Sequence, residues 1–126
     1  MKKIFLLVAM TVVIFAQEKT ITATMGLMED GLATVQKGFL YNNHSDLIRG
    51  VETMESANAI FAHVNVSTFI KNNTKVQVTK NINANLKNHL KVLKKDIKAK
   101  KYTSATVSYA KVMSDCISCH TIIRGW

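Results

Sequence analysis

Residues 21–41, ITATMGLMEDGLATVQKGFLY, carry Ile21, Met25, Met28, Leu32, Val35 and Phe39 at alternating spacings of four and three. That period puts the six side chains on one stripe of an α-helix over about five turns, the pattern of a helix that covers a core on one side. The polar cluster Asn42-Asn43-His44-Ser45 ends it, and Ser45 is placed to cap the next helix. The second segment repeats the pattern through Leu47, Val51, Met54, Ala57, Phe61 and Val64, and runs out near Asn65-Val66-Ser67-Thr68. A third, from about Thr74 to Lys100, aligns Ile82, Leu86, Leu90, Leu93 and Ile97, with Lys87, Lys91, Lys94, Lys95 and Lys98 on its other faces. A fourth, from near Thr103, carries Ala105, Tyr109, Met113, Cys116, His120 and Ile123. Four amphipathic helices with short connections, no proline and no clear strand pattern predict an all-α chain, an antiparallel up-and-down four-helix bundle.

Ahead of these helices, residues 1–16 read MKKIFLLVAMTVVIFA, two lysines followed by an apolar run. The run is shorter than the roughly 20 residues a bilayer span needs, so it reads as a secretory signal peptide cleaved after Ala16. Residues 17–126 are then one bundle domain, expected in the periplasm. Ile14 stands where a small residue is usual, and an uncleaved anchor is the alternative. Without Lys2 and Lys3 the chain has fifteen basic and eight acidic residues, and their placement is uneven. Residues 17–70 hold three basic and six acidic groups, residues 71–126 twelve and two. The basic half suits an acidic protein surface, whereas nucleic acid is a poor partner for an exported chain with few aromatics among its lysines.

The two cysteines both fall in Cys116-Ile117-Ser118-Cys119-His120, on the apolar stripe of the fourth helix. C-x-x-C-H is the signature of c-type haem attachment. Thiols three apart on a helix face one way and can both add to the vinyl groups of one porphyrin, while His120 offers an imidazole to the iron. Other readings of the cysteines fit less well. A thioredoxin-like dithiol belongs in a βαβ setting. A structural zinc site needs a fourth ligand from His44, His63 or His89 and crowds three ligands into five residues. A disulfide between residues three apart in a helix is strained. One covalent haem c is therefore the expected cofactor. No nucleophile-base-carboxylate set or acid pair points to hydrolysis, so an electron carrier is expected rather than an enzyme.

A C-terminal C-x-x-C-H on the last helix of an exported four-helix chain resembles the class II cytochromes c, the cytochrome c′ superfamily. The resemblance implies a haem near the C-terminal end of helix four. It also implies a basic residue one turn after the haem histidine, a place that Arg124 fills, near a propionate or the porphyrin edge. Ile123 and Trp126 are placed to shield that edge. It leaves room for a homodimer through the first two helices.

Within that family the far side of the iron receives either a methionine from the first helix or an apolar residue that leaves the iron open to small gases. Here Met25 and Met28 are the candidates, Met25 being nearer the end of helix one that faces His120. A gap-free register on Lys37-Gly38 instead puts the usual position near Thr22, one turn earlier. His63 and His89 are rival ligands, and an open iron remains the other alternative. The resemblance thus implies single-electron transfer through a His/Met haem, with redox partner proteins that carry an acidic docking surface, or nitric oxide capture at a five-coordinate haem. Gly26 and Gly31 each cost about 1 kcal/mol in a helix interior. They are expected to permit close approach of the first helix to the porphyrin or to a neighbouring helix.

Overall fold

The computed structural model describes the backbone of residues 2–124 and the side chains of residues 16–123. Helix α1 spans Lys2–Leu40, α2 His44–Ala62, α3 Asn73–Lys98 and α4 Tyr102–Arg124, with a 3₁₀ turn at Val66–Thr68 before α3. No strand occurs among the described residues. The cleavage point expected after Ala16 falls within α1, and the side chains ahead of it lie outside the described residues.

Local chemistry sets the boundaries. Both α1 and α3 close on a residue in the left-handed region, Asn42 at φ 54° and Lys100 at φ 56°. In each, the next amide donates to the carbonyl five residues back, Asn43 to Gly38 at 2.8 Å and Lys101 to Asp96 at 2.9 Å. This is the Schellman closure, which satisfies carbonyls the helix cannot pair itself. The cap of α2 is Asn43 and not the expected Ser45. The Asn43 side chain accepts from the Asp46 amide at 3.2 Å and also donates to its carboxylate at 3.0 Å. Asn carries both acceptor and donor and serves two partners at once, whereas Ser45 lies two residues past the cap, already within the first turn of α2. Asn72 caps α3 in the same way, at 3.0 Å to the Lys75 amide.

The stripes meet in one core of Met28, Val35, Leu47, Val51, Met54, Leu86, Leu90, Leu93, Ile97 and Val112, which draws on all four helices. A smaller cluster of Phe61, Val66 and Ile70 lies beyond it, and Met25, Val76 and Ile123 pack on it from α1, α3 and α4. Helix α1 packs along α2, α2 along α3 and α3 along α4. At one end His44, opening α2, meets Tyr102, opening α4, with Nδ1 and Oη 3.3 Å apart. Near the other end Lys75 donates to the Ile122 carbonyl at 3.2 Å, placing a cation at the C-terminal turn of α4.

Glycines fix how closely α1 and α2 approach. A Cβ on Gly31 would sit 2.9 Å from the Gly50 carbonyl oxygen, and one on Gly50 would sit 2.7 Å from the Gly31 oxygen and 2.8 Å from the Val35 nitrogen. Gly31 therefore permits contact with a neighbouring helix, one of the two roles expected of it. A Cβ on Gly26 would meet nothing within 4 Å. Gly50→Ala is expected to lower stability by about 1–3 kcal/mol, because the clash is with backbone that cannot yield locally. Gly26→Ala is expected to raise it by up to about 1 kcal/mol through helix propensity alone. Urea unfolding midpoints of the two variants, moving in opposite directions from the parent, check both.

Candidate functional site

Helices α1 and α4 do not close on each other as the other neighbours do. Between them, and reaching inward to α2 and α3, lies a cavity of about 760 Å³. Cys116, Cys119 and His120 line it from α4, Met25 and Met28 from α1, Phe61 from α2 and Leu86 from α3. The cysteines, the histidine and the two methionines singled out by sequence thus open onto one space. Arg124 is helical in backbone, but its side chain lies outside the described residues, as does Trp126. Ile123 packs on the Phe61 cluster. His63 follows the last turn of α2 and His89 pairs with Asp115, and neither lines the cavity.

The flank of α4 that faces the cavity is set by what holds its other flank. His89 Nδ1 lies 2.6 Å from Asp115 Oδ2, and Ser108 donates to Asp96 at 3.2 Å, so α4 is fixed to α3 along this side. Cys116, Cys119 and His120, at i, i+3 and i+4, then share the remaining inner face. Across the gap, Tyr109 donates its hydroxyl proton to the Leu32 carbonyl at 3.2 Å and meets Phe39 edge-on, with ring centroids 5.9 Å apart. Tyr109 acts as a strut between helices that otherwise stay apart. Met113, expected on the core stripe, is 36 % exposed and lies on the cavity rim, because the partner it would pack against is that open space.

Comparison with protein-family models, curated proteins and solved structures finds no match.

The chemistry of the thiols separates the candidate roles. Both cysteines are free and half-buried. Burial, then the neighbouring Asp115 and Cys119, push the Cys116 thiol up from 9.0 to about 11. Burial also raises Cys119. Neutral thiols of this kind are unlike the low-pKa thiolates of redox dithiols, which sit in electropositive surroundings. Among the described residues no group of three or more His, Cys, Asp or Glu comes together to hold a metal ion, so the zinc reading lacks its ligand set. Tyr109 is raised as well, by burial and then by Cys116.

Two contributors to the site, Asp115 and Asn58, are absent from the sequence reading, and His89 enters it only as a candidate ligand. His89 and Asp115 pair across a separation that leaves no local pattern. Asn58, 3 % exposed on α2, interrupts the apolar series between Met54 and Phe61 at helical spacing, which is a legible signal. Its Nδ2 donates to the Asn83 carbonyl at 3.4 Å, while its Oδ1 is buried without a hydrogen-bond partner. Such a loose end costs about 1–3 kcal/mol.

The thiol shift has a kinetic consequence in the folded chain before any thioether forms. Thiol alkylation runs through the thiolate, so at pH 8 Cys116 is expected to react about 100-fold more slowly than in the urea-unfolded chain. The rate should climb tenfold per pH unit until about pH 11. By linkage, a thiol raised on folding contributes stability that is present below pH 9 and lost as pH rises toward 11. Mass spectrometry of alkylated Cys116 against pH measures the first effect; equal rates in folded and unfolded chain contradict it.

Proposed function

We propose that this chain is a c-type cytochrome of the class II kind, a periplasmic carrier of single electrons through one covalently attached haem. The observation that carries the reading is that both thiols, His120, Met25 and Met28 open onto one largely apolar cavity of about 760 Å³. That volume lies within the range of cavities that enclose cofactors, roughly 300–1,000 Å³. The meeting of the α2 and α4 starts, His44 with Tyr102, supports an up-and-down antiparallel arrangement, with the haem toward the C-terminal end of α4.

In this reading Cys116 and Cys119 anchor the porphyrin as thioethers, and His120 supplies the proximal nitrogen. When bound, the haem supplies an iron that takes one electron from a donor protein and returns it to an acceptor. The chain's own residues exclude water and hold the cavity shape: Phe61, Leu86 and Met28 present apolar surface, and Tyr109 keeps α1 and α4 at fixed spacing. A low-dielectric pocket and a thioether ligand both favour the reduced iron.

Met25 is the better second ligand for a packing reason. Met28 is 7 % exposed in the main core, and withdrawing it would open a void of the kind that costs about 2–5 kcal/mol. Met25 is half-buried and packs only on the smaller Phe61 cluster, so its sulfur is freer to turn. The same observation gives the second reading some weight. Both methionines already have packing partners, and an iron left five-coordinate would bind nitric oxide or another small gas. The redox partner is a protein with an acidic docking surface, drawn by the excess of basic groups in residues 71–126. Arg124, one turn beyond His120 along the sequence, would pair with a propionate.

Absorption spectra of the purified protein in both oxidation states test the reading. Covalently attached haem and a low-spin spectrum are expected, turning high-spin in Met25→Ala and unchanged in spin state in Met28→Leu. A high-spin parent moves the function to gas binding. Protein that lacks covalent haem when matured alongside a working cytochrome c overturns the proposal. Electron exchange should also slow as salt rises.

A further inference from the structure

The lysines of α3 form a stripe whose direction the contacts settle. Lys87, Lys91, Lys94 and Lys98 recur at spacings of four, three and four, and Lys80 lies seven residues before Lys87 on the same line. Within this stripe Lys94 reaches α2, at 2.8 Å to Glu55 and 3.1 Å to Glu52. The other flank of α3 reaches α4 through His89 and Asp96. The stripe therefore runs along the side of α3 next to α2, whereas the cavity opens between α1 and α4. Lys80, Lys87, Lys91 and Lys98 are all exposed, and they span roughly 27 Å of helix from its rise per residue.

A surface held on this stripe would leave the cavity mouth uncovered. The stripe also has a particular composition. It contains no arginine and no aromatic residue, the types that anchor specific protein interfaces. What it offers is a straight row of flexible point charges, which suits an extended anionic surface without fixed shape. Anionic bilayers attract such rows in proportion to the number of lysines. Glu52 and Glu55 of α2 are taken up by Lys94, and across the bundle the described part of α1 holds Glu18, Glu29 and Asp30 against Lys19 and Lys37. Near an anionic surface at low salt, this charge separation favours α3 facing the surface and α1 facing away.

We propose that the Lys80–Lys98 stripe of α3 docks the protein on anionic phospholipid, with the α1–α4 cavity mouth turned toward the aqueous phase. The stripe then works as a tether, and a redox partner would approach the cavity mouth, drawn by the basic groups of residues 71–126 that lie off the stripe. Docking of this kind involves only the outer face of α3 and is independent of whether the cavity holds a haem.

Sedimentation with lipid vesicles at low salt tests it. The full chain should partition onto vesicles of phosphatidylcholine and phosphatidylglycerol in equal parts and not onto phosphatidylcholine alone, with binding lost at high salt. Lys87→Glu, Lys91→Glu and Lys98→Glu together, a change of six charges, should weaken partition on the order of 10,000-fold. A control with Lys19→Glu, Lys37→Glu and Lys71→Glu, of equal net charge but off the stripe, should stay within a few-fold of the parent. The milder triple Lys→Gln set at 87, 91 and 98, which keeps the exposed face polar, should lose about fivefold per lysine. Equal loss in stripe and control variants overturns the proposal, because net charge alone would then explain binding. So does a parent that binds polyglutamate but not the mixed vesicles, which would make the stripe a site for acidic protein.

Discussion

The close approach of α1 to α2 is the constraint on which the rest of the structure depends. Gly31 and Gly50 lie so near each other that neither position has room for a methyl group, and Gly38 lies equally tight against Leu47. Helix α1 is thereby committed to α2 from Gly31 to Gly38. It is not drawn against α4 in the same way, because the flank that α4 offers carries the bulk of Tyr109 and Met113 where α2 offers glycine. A bundle that closed evenly on all sides would have no space inside. This one concentrates its slack on one seam, and the Tyr109 hydroxyl on the Leu32 carbonyl keeps that seam at fixed width. Interiors pack near crystal density, so a cavity of this size needs such a structural cause.

The same seam explains why residues distant in sequence line one cavity. Helix α4 is held to α3 by His89 with Asp115 and by Ser108 with Asp96, which leaves Cys116, Cys119 and His120 directed at the gap. Helix α1 brings Met25 and Met28 to the opposite wall. Burial that keeps both thiols protonated makes them poor thiolate ligands or redox nucleophiles. Asp115 serves twice, bonding His89 on one side and raising the Cys116 thiol on the other.

Much of this is legible in the sequence, and the reasons are local. The apolar stripes are readable because period and burial coincide: Val35, Val51, Leu90, Leu93 and Ile97 are all completely buried. The C-x-x-C-H motif is readable because its residues are contained within five positions. What the sequence hides is relational. Asn43 caps α2 in place of Ser45 because the Asp46 carboxylate, three residues on, takes a donor that the Asn amide supplies. Lys94 reads as one more surface lysine, yet it bridges to Glu52 and Glu55 of α2. Gly26 and Gly31 read alike, but one fronts open space and the other a backbone, a difference set wholly by which helix lies opposite.

Charge placement has its origin in the same pairing of helices. Along the chain from residue 17, acidic groups collect before residue 70 and basic groups after it, and a different packing order would have mixed them. Because α1 pairs with α2 and α3 with α4, the linear asymmetry becomes a spatial one. The Lys94 bridge then consumes two of the acidic groups at the α2–α3 boundary, leaving the lysines on either side of it unneutralised. Exposed charges more than a Debye length apart are screened, about 8 Å at physiological salt, so the stripe acts on what touches it rather than on the far side of the molecule. The basic flank and the cavity mouth are therefore electrostatically independent surfaces, and one chain can hold an anionic surface with the first while keeping the second free.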